Sequence, residues 1–241
     1  MKDFYPNHRQ RDTAVDTSDA QPTSLLMTIL VHDLRNYLTP LYGRLALLSK
    51  RAAAEQREHD VRLAAQATQS LDHMKQLIDN LLEAERLQHG IFDLRWESVD
   101  LRALAHTVAQ SLEGTDTPIV VDATTALVIK GDQQRLRQAL HNLMANAVAH
   151  SPRYAPVLLS LHALRHTALL RVSDLGPGIP PELLPRLFQP FSPGPTSQGL
   201  GLGLYLAHEI AAAHAGTLLV ESRRGAGTCF ELALPLPSGE R

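Results

Sequence analysis

A single cysteine, Cys229, stands among 241 residues, so no disulfide can close within the chain, and a reducing cytosol suits it. Aromatic residues make up only 5%, too few for platforms on which nucleic-acid bases stack. Neither sign of charge dominates: 23 Lys and Arg stand against 25 Asp and Glu, a net charge of −2, and the basic footprint of a nucleic-acid binder is missing. No apolar run approaches the ~20 residues that span a bilayer, and the amino terminus does not read as a signal peptide. These shortages together predict a cytoplasmic, soluble chain, or the soluble part of a longer one.

Hydrophobic residues reach 44%, enough to build one large domain or two small ones. Residues 1–23 are polar and aperiodic, with Pro6 and Pro22, and read as a flexible arm. A helix follows from about Ser24 to about Ala54. Its seam is Leu30, Leu34, Leu38, Leu41, Leu45 and Leu48, at helical spacings of four and three. His32 falls between seam positions, which points its imidazole to solvent; Asp33 follows it and Asn36 lies one turn on. A neutral imidazole is a competent nucleophile near neutral pH, and a carboxylate beside it holds the useful tautomer. An exposed histidine on an amphipathic helix is the plainer alternative. Pro40, inside the helix, predicts a kink past His32. A second helix, about Glu58 to about Gln88, carries the seam Ala64, Ala67, Leu71, Met74, Ile78 and Leu81. Two helices joined by a short turn cannot bury both seams, so a pair from each of two chains predicts a homodimeric four-helix bundle. Packing of the hairpin onto its own chain is the competing arrangement.

Past Gly90 the pattern changes. Helices are expected at Leu101 to Leu112, Asp132 to Ala149 (with Asp132 as cap), a short one from Pro181, and Leu202 to His214, which Gly216 stops. Strands are expected at Thr117 to Asp122, Leu127 to Lys130, Val157 to Leu164, Ala168 to Ser173, Thr217 to Ser222 and Cys229 to Pro235. The mixture predicts an α+β chain: the helical hairpin, then a two-layer α/β sandwich. The domains read as an arm over 1–23, a helical domain over 24–90 and the sandwich over 91–241.

Three segments of the sandwich carry chemistry. Asn142 and Asn146 lie one turn apart on a helix whose Leu136, Leu140 and Leu143 face inward; amide oxygens suit Mg²⁺, or serve only as solvated polar groups. Asp174-Leu175-Gly176-Pro177-Gly178 follows a strand. Its carboxylate can accept from an exocyclic amine, and its glycines let the backbone come close to a ligand; a plain turn is the alternative. Gly199, Gly201 and Gly203 open a helix, where free N–H groups and the helix dipole favour anions; a hinge is the alternative. This is no P-loop, since Gly-Lys-Ser/Thr is missing, and no dinucleotide fingerprint, since no parallel βαβ unit is expected ahead of it.

The stretch Val31 to Pro40 resembles the H box of sensor histidine kinases in its H-D-L-R-N variant. The three glycine and asparagine segments resemble, in order and spacing, the N, G1 and G2 boxes of the Bergerat-type ATP-binding domain shared by histidine kinases and GHKL ATPases. Leu187-Phe188-Gln189-Pro190-Phe191 matches the F box, and the resemblance runs from about Leu25 to Pro235. It implies that His32 accepts a phosphoryl group, that Asp33 orients or deprotonates it, and that Asn36 places a water for the reverse reaction. It further implies that Asn146 holds Mg²⁺ with Asn142 close by, and that Asp174 holds the adenine amine of ATP. Gly176 and Gly178 would shape that pocket, Gly199, Gly201 and Gly203 would line the triphosphate, His150 would lie near the nucleotide, and Ser192 to Gln198 would form a lid. The chain departs from the family where Ala149 replaces a common Lys or Arg, where the lid lacks a basic residue, and where Tyr37 takes the place of the usual proline.

The expected function is a dimeric histidine kinase core that passes phosphoryl from ATP to His32 and on to a response-regulator receiver aspartate, with phosphatase activity on that partner. No receiver or sensor stretch is recognisable, so the signal is expected through the arm, a separate sensor protein or a region outside this sequence. Ala149 and the uncharged lid motivate an alternative, a phosphotransfer or phosphatase dimer with a weakened ATPase domain. A gyrase- or chaperone-type ATPase is disfavoured by the H-box helix.

Overall fold

The computed structural model describes residues 21–88, 93–112, 116–192 and 200–237; of these, the side chains of residues 21–33, 35, 73 and 88 are not described. The expected arm lies outside the described residues up to residue 20, and the first helix begins at Gln21. The chain divides into two compact units, Met1–Thr68 and Gln69–Arg241.

The first unit holds helix α1 (Gln21–Ala54) and the start of α2 (Glu58–Gln88). α1 remains helical through Pro40. Its end is a Schellman turn. Arg57 N–H donates to the Ala52 carbonyl at 2.8 Å, Gln56 N–H to Ala53 at 3.2 Å, and Gln56 takes the left-handed φ of 54° that this cap requires. Arg57 then pairs with Glu55 and Asp60. Leu38, Ala52 and Ala64 are buried, whereas Leu34, Leu41, Leu48 and Tyr37 stand open.

The second unit continues α2 from Gln69 and adds β1 (Glu97–Asp100), α3 (Leu101–Ser111), β2 (Ile119–Asp122), β3 (Val128–Gly131), α4 (Gln133–His150), β4 (Val157–Leu164), β5 (Thr167–Asp174), α5 (Gly203–Ala213), β6 (Thr217–Ser222) and β7 (Thr228–Pro235). Five strands form one mixed sheet in the order β2-β4-β5-β7-β6, and β1 pairs with β3. α3, α4 and α5 bury their apolar sides against it: Leu104, Leu136, Leu140, Leu143 and Ile210 meet Leu159, Leu170, Phe230 and Leu232 in one core. Asp132 caps α4, as expected, accepting from Arg135 N–H at 3.0 Å.

Four expectations need correction. β2 and β4 pair in parallel with α4 crossing between them, so a parallel crossover does lie upstream of the glycine segment. β1 was not anticipated, because Glu97, Ser98 and Asp100 leave Val99 as its only apolar residue. The helix expected from Pro181 is only a 3-10 turn, Leu184–Arg186, because Pro185 has no N–H to continue it. Gly216 does not supply the left-handed stop of α5: Ala215 does, at φ 54°. Gly216 is small for another reason, since an added Cβ would lie 2.4 Å from the Ala233 carbonyl oxygen.

Candidate functional site

The site lies where β5, α4 and α5 end or begin. β5 delivers Asp174, only 6% exposed, and its Oδ1 accepts from Gly176 N–H at 2.7 Å. Burial pushes its carboxyl above the usual range, while N–H groups of Gly176 and Thr228 and the nearby His150 pull the other way. A buried carboxylate with acceptor capacity in hand is suited to a donor such as an aromatic amine.

The backbone around Asp174 leaves no room for side chains. A Cβ on Gly176 would stand 2.6 Å from the His150 carbonyl oxygen. Gly178, at φ 71°, would place one 2.1 Å from the Arg223 carbonyl oxygen, and Gly227 one 2.1 Å from that of Asp174. Thus the end of α4, the loop after β5 and the β6–β7 turn converge.

On α4 the two asparagines have different surroundings. Asn142 is buried, and its Nδ2 donates to the Gly203 carbonyl at 3.1 Å, tying α4 to the first residue of α5. Asn146 is one turn on and half-buried; its side chain makes no hydrogen bond among the described residues, so its amide is available to a ligand. α5 opens at Gly203 with no side-chain cap from Leu202, and Gly201 takes φ 69°. Its first-turn N–H groups are therefore available to an anion. A Cβ on Gly203 would meet only the Asn142 side chain, at 3.7 Å, so protein packing alone does not demand glycine there. By the chemistry of their donors and acceptors, Asn146, the uncapped α5 terminus and the Asp174 carboxyl suit a hard cation, an anion and an amine in turn.

Asp174, Gly176, Gly178 and His150 are thus brought together, and Asn142 meets Gly203. Gly199 and the lid residues 193–198 lie outside the described residues. So do the side chains of His32 and Asp33; Asn36 is exposed on α1. The sequence reading missed Ser222, whose Oγ bonds Ile179 N–H at 2.8 Å, the Gly227 carbonyl at 3.0 Å and Thr228 Oγ1 at 2.9 Å. A serine closing a strand gives no motif. It also missed His214, buried under α5, which accepts from Asp132 N–H at 2.9 Å and donates from Nδ1 to the Ile210 carbonyl at 2.8 Å. Phe188 of the F-box segment packs against the core and stacks on His208, ring centres 5.2 Å apart.

Residues 24–90 match the His Kinase A (phospho-acceptor) domain, and residues 131–238 match the Histidine kinase-, DNA gyrase B-, and HSP90-like ATPase. The chain belongs to the sensor histidine kinase family. Among curated sensor kinases it is 33% identical over 220 residues to Sensor protein KdpD of Escherichia coli, covering 89% of this chain and 24% of that protein. It is 30% identical over 250 residues to Histidine protein kinase DivJ of Caulobacter vibrioides, covering 95% and 41%. The chain thus spans less than half the length of either relative. Full-length ShkA in complex with AMPPNP shares its fold at TM-score 0.67 and 28% identity, covering 88% of this chain and 46% of ShkA. The mycobacterial sensor histidine kinase MprB aligns at TM-score 0.54 and 28% identity, covering 59% of this chain and 98% of that one. Residues 131–238, within the second unit, accordingly form a domain of the histidine kinase, DNA gyrase B and HSP90 ATPase type. Among the described residues no helix is long and apolar enough to cross a membrane.

Proposed function

We propose that this chain is a histidine kinase core acting in the cytoplasm, where ATP is supplied. It would work as a homodimer, with a dimerisation and phosphotransfer domain over 24–90 and an ATP-binding domain over 91–241. Asp174 accepts from the adenine amine, with Gly176, Gly178 and His150 shaping that pocket. Gly199, Gly201 and Gly203 line the phosphates. Asn146 holds Mg²⁺, with Asn142 beside it fixing Gly203; the ion, when bound, neutralises phosphate charge. A ring nitrogen of His32, oriented by Asp33, attacks the γ-phosphorus; the bond to the bridging oxygen breaks and ADP leaves. The phosphoryl then passes to an aspartate of a response-regulator receiver domain, and Asn36 positions water for its later hydrolysis. A separate sensor protein is a fitting source of the signal.

The observation that supports this reading is that α4 touches both halves of the site: its end, at His150, meets the Asp174 loop, and its Asn142 holds the uncapped start of α5. The test is incubation with γ-labelled ATP and Mg²⁺. Acid-labile label that disappears in His32→Ala is the expected result. Tight nucleotide binding with no label would favour the phosphotransfer or phosphatase dimer, which the exposed Ala149 motivates. Release of free phosphate with no labelled protein would favour a plain ATPase.

A further inference from the structure

Ser222 is the last residue of β6 and pairs in register with Thr228, which in turn pairs with Asp174 on β5. One hydroxyl there serves three partners. It accepts from Ile179 N–H and from the Thr228 hydroxyl, and donates its own proton to the Gly227 carbonyl. That carbonyl belongs to the peptide unit whose N–H, on Thr228, reaches the Asp174 carboxyl. Because a peptide unit is planar, fixing its oxygen fixes its N–H. The same hydroxyl anchors the far end of the Asp174 loop at Ile179. Gly225 N–H ties the middle of that loop by donating to the Pro177 carbonyl at 2.6 Å.

We infer that Ser222 is a positioning residue for nucleotide recognition: it orients the Gly227–Thr228 peptide against Asp174 and anchors the loop that forms the adenine pocket. The inference rests on the adenine-binding role proposed for Asp174. Ser222→Ala removes the acceptor for Ile179 and the donor for Gly227, leaving Asp174 less well aimed while the phosphate end of the site is untouched. Base recognition suffers and chemistry at saturating nucleotide does not.

The full chain is assayed for autophosphorylation across ATP concentrations, with GTP as competitor. S222A is expected to raise KM for ATP about tenfold, equivalent to about 1.4 kcal/mol, and to lower preference for ATP over GTP. Its kcat should stay within about twofold, the hydrogen-bond loss being confined to the base end. Ser222→Thr, which keeps the hydroxyl, should restore KM. If alanine prevents folding, Ser222→Cys, with its weak donor and acceptor, carries the same comparison. An unchanged KM in folded S222A, while Asp174→Asn raises KM, overturns the role of Ser222 alone. Unchanged KM in both variants overturns the adenine reading and the inference with it. A fall in kcat at constant KM, tracking the folded fraction, reduces Ser222 to a purely structural residue and also overturns the inference.

Discussion

Asp174 keeps a carboxylate where burial works against its charge. Its folded pKa lies above the unfolded value, so the folded state binds the extra proton between the two. Stability from this group is therefore present below that interval and is lost as pH rises through it. Burying the charged form is thus a cost to the empty fold, kept for what the carboxyl binds. Asp174→Asn should thus hold or raise Tm at pH 7 while weakening ATP binding at least tenfold, measured by calorimetry and nucleotide titration. A lowered Tm would mean that the hydrogen bonds from Gly176 and Thr228 outweigh the desolvation of the charge. The sequence showed this residue because a carboxylate ending an apolar strand before two glycines is a recognisable pattern. It did not show how Asn142 and Asn146 divide their work. Two identical side chains one turn apart look alike until the Gly203 carbonyl is placed beside one of them. His214 was invisible for a similar reason: its partners, Asp132 N–H and the Ile210 carbonyl, are backbone groups, one of them 82 residues away.

α2 illustrates what periodicity gives and withholds at the scale of an element. Its limits, Glu58 to Gln88, follow from its apolar spacing, but a stripe does not name its partner. Leu81, Ala84 and Leu87 pack against Leu202, Tyr205 and Leu206 beside the glycine-opened start of α5. Buried Glu83 pairs there with Arg135 of α4, and its Oε1 has no hydrogen-bond partner among the described residues. Such a pair is fragile in one direction only. Arg135→Ala leaves a buried carboxylate without its cation and should cost about 3–5 kcal/mol, whereas Glu83→Leu removes the charge and should be close to neutral. Urea unfolding followed by the fluorescence of Trp96, the chain's only tryptophan, which contacts His214, reads both. Equal losses in the two variants would mean that the pair, rather than the desolvated carboxylate, sets the energy. The same limit on reading elements explains Gly216. Sequence marks it as a helix stop, but its smallness answers to a carbonyl on β7, a contact made only after the sheet forms.

At the scale of the molecule, the first unit exposes a face that a lone chain leaves uncovered. Leu34, Leu41 and Leu48 recur every seven residues and are 45%, 41% and 55% exposed, while on the neighbouring column Leu38 is buried and Leu45 half-buried. A heptad column of leucines left in water is what a second copy of the same helix would cover. Each leucine fully buried contributes about 1.5–3 kcal/mol, and a twofold interface counts every residue twice. Leu41→Glu combined with Leu48→Glu therefore replaces four interface leucines with charges in the proposed dimer, and a change of two residues per chain should weaken association by well over a hundredfold. Sedimentation at micromolar concentration should show a dimer for the parent and a monomer for the variant. Nucleotide affinity should not change, because the Asp174 and Asn146 elements lie in the other unit. Transfer to His32 should fall if the subunits phosphorylate each other and persist if each acts on itself. A variant that stays dimeric would place the subunit contact on another face and leave the open leucine column without its proposed occupant.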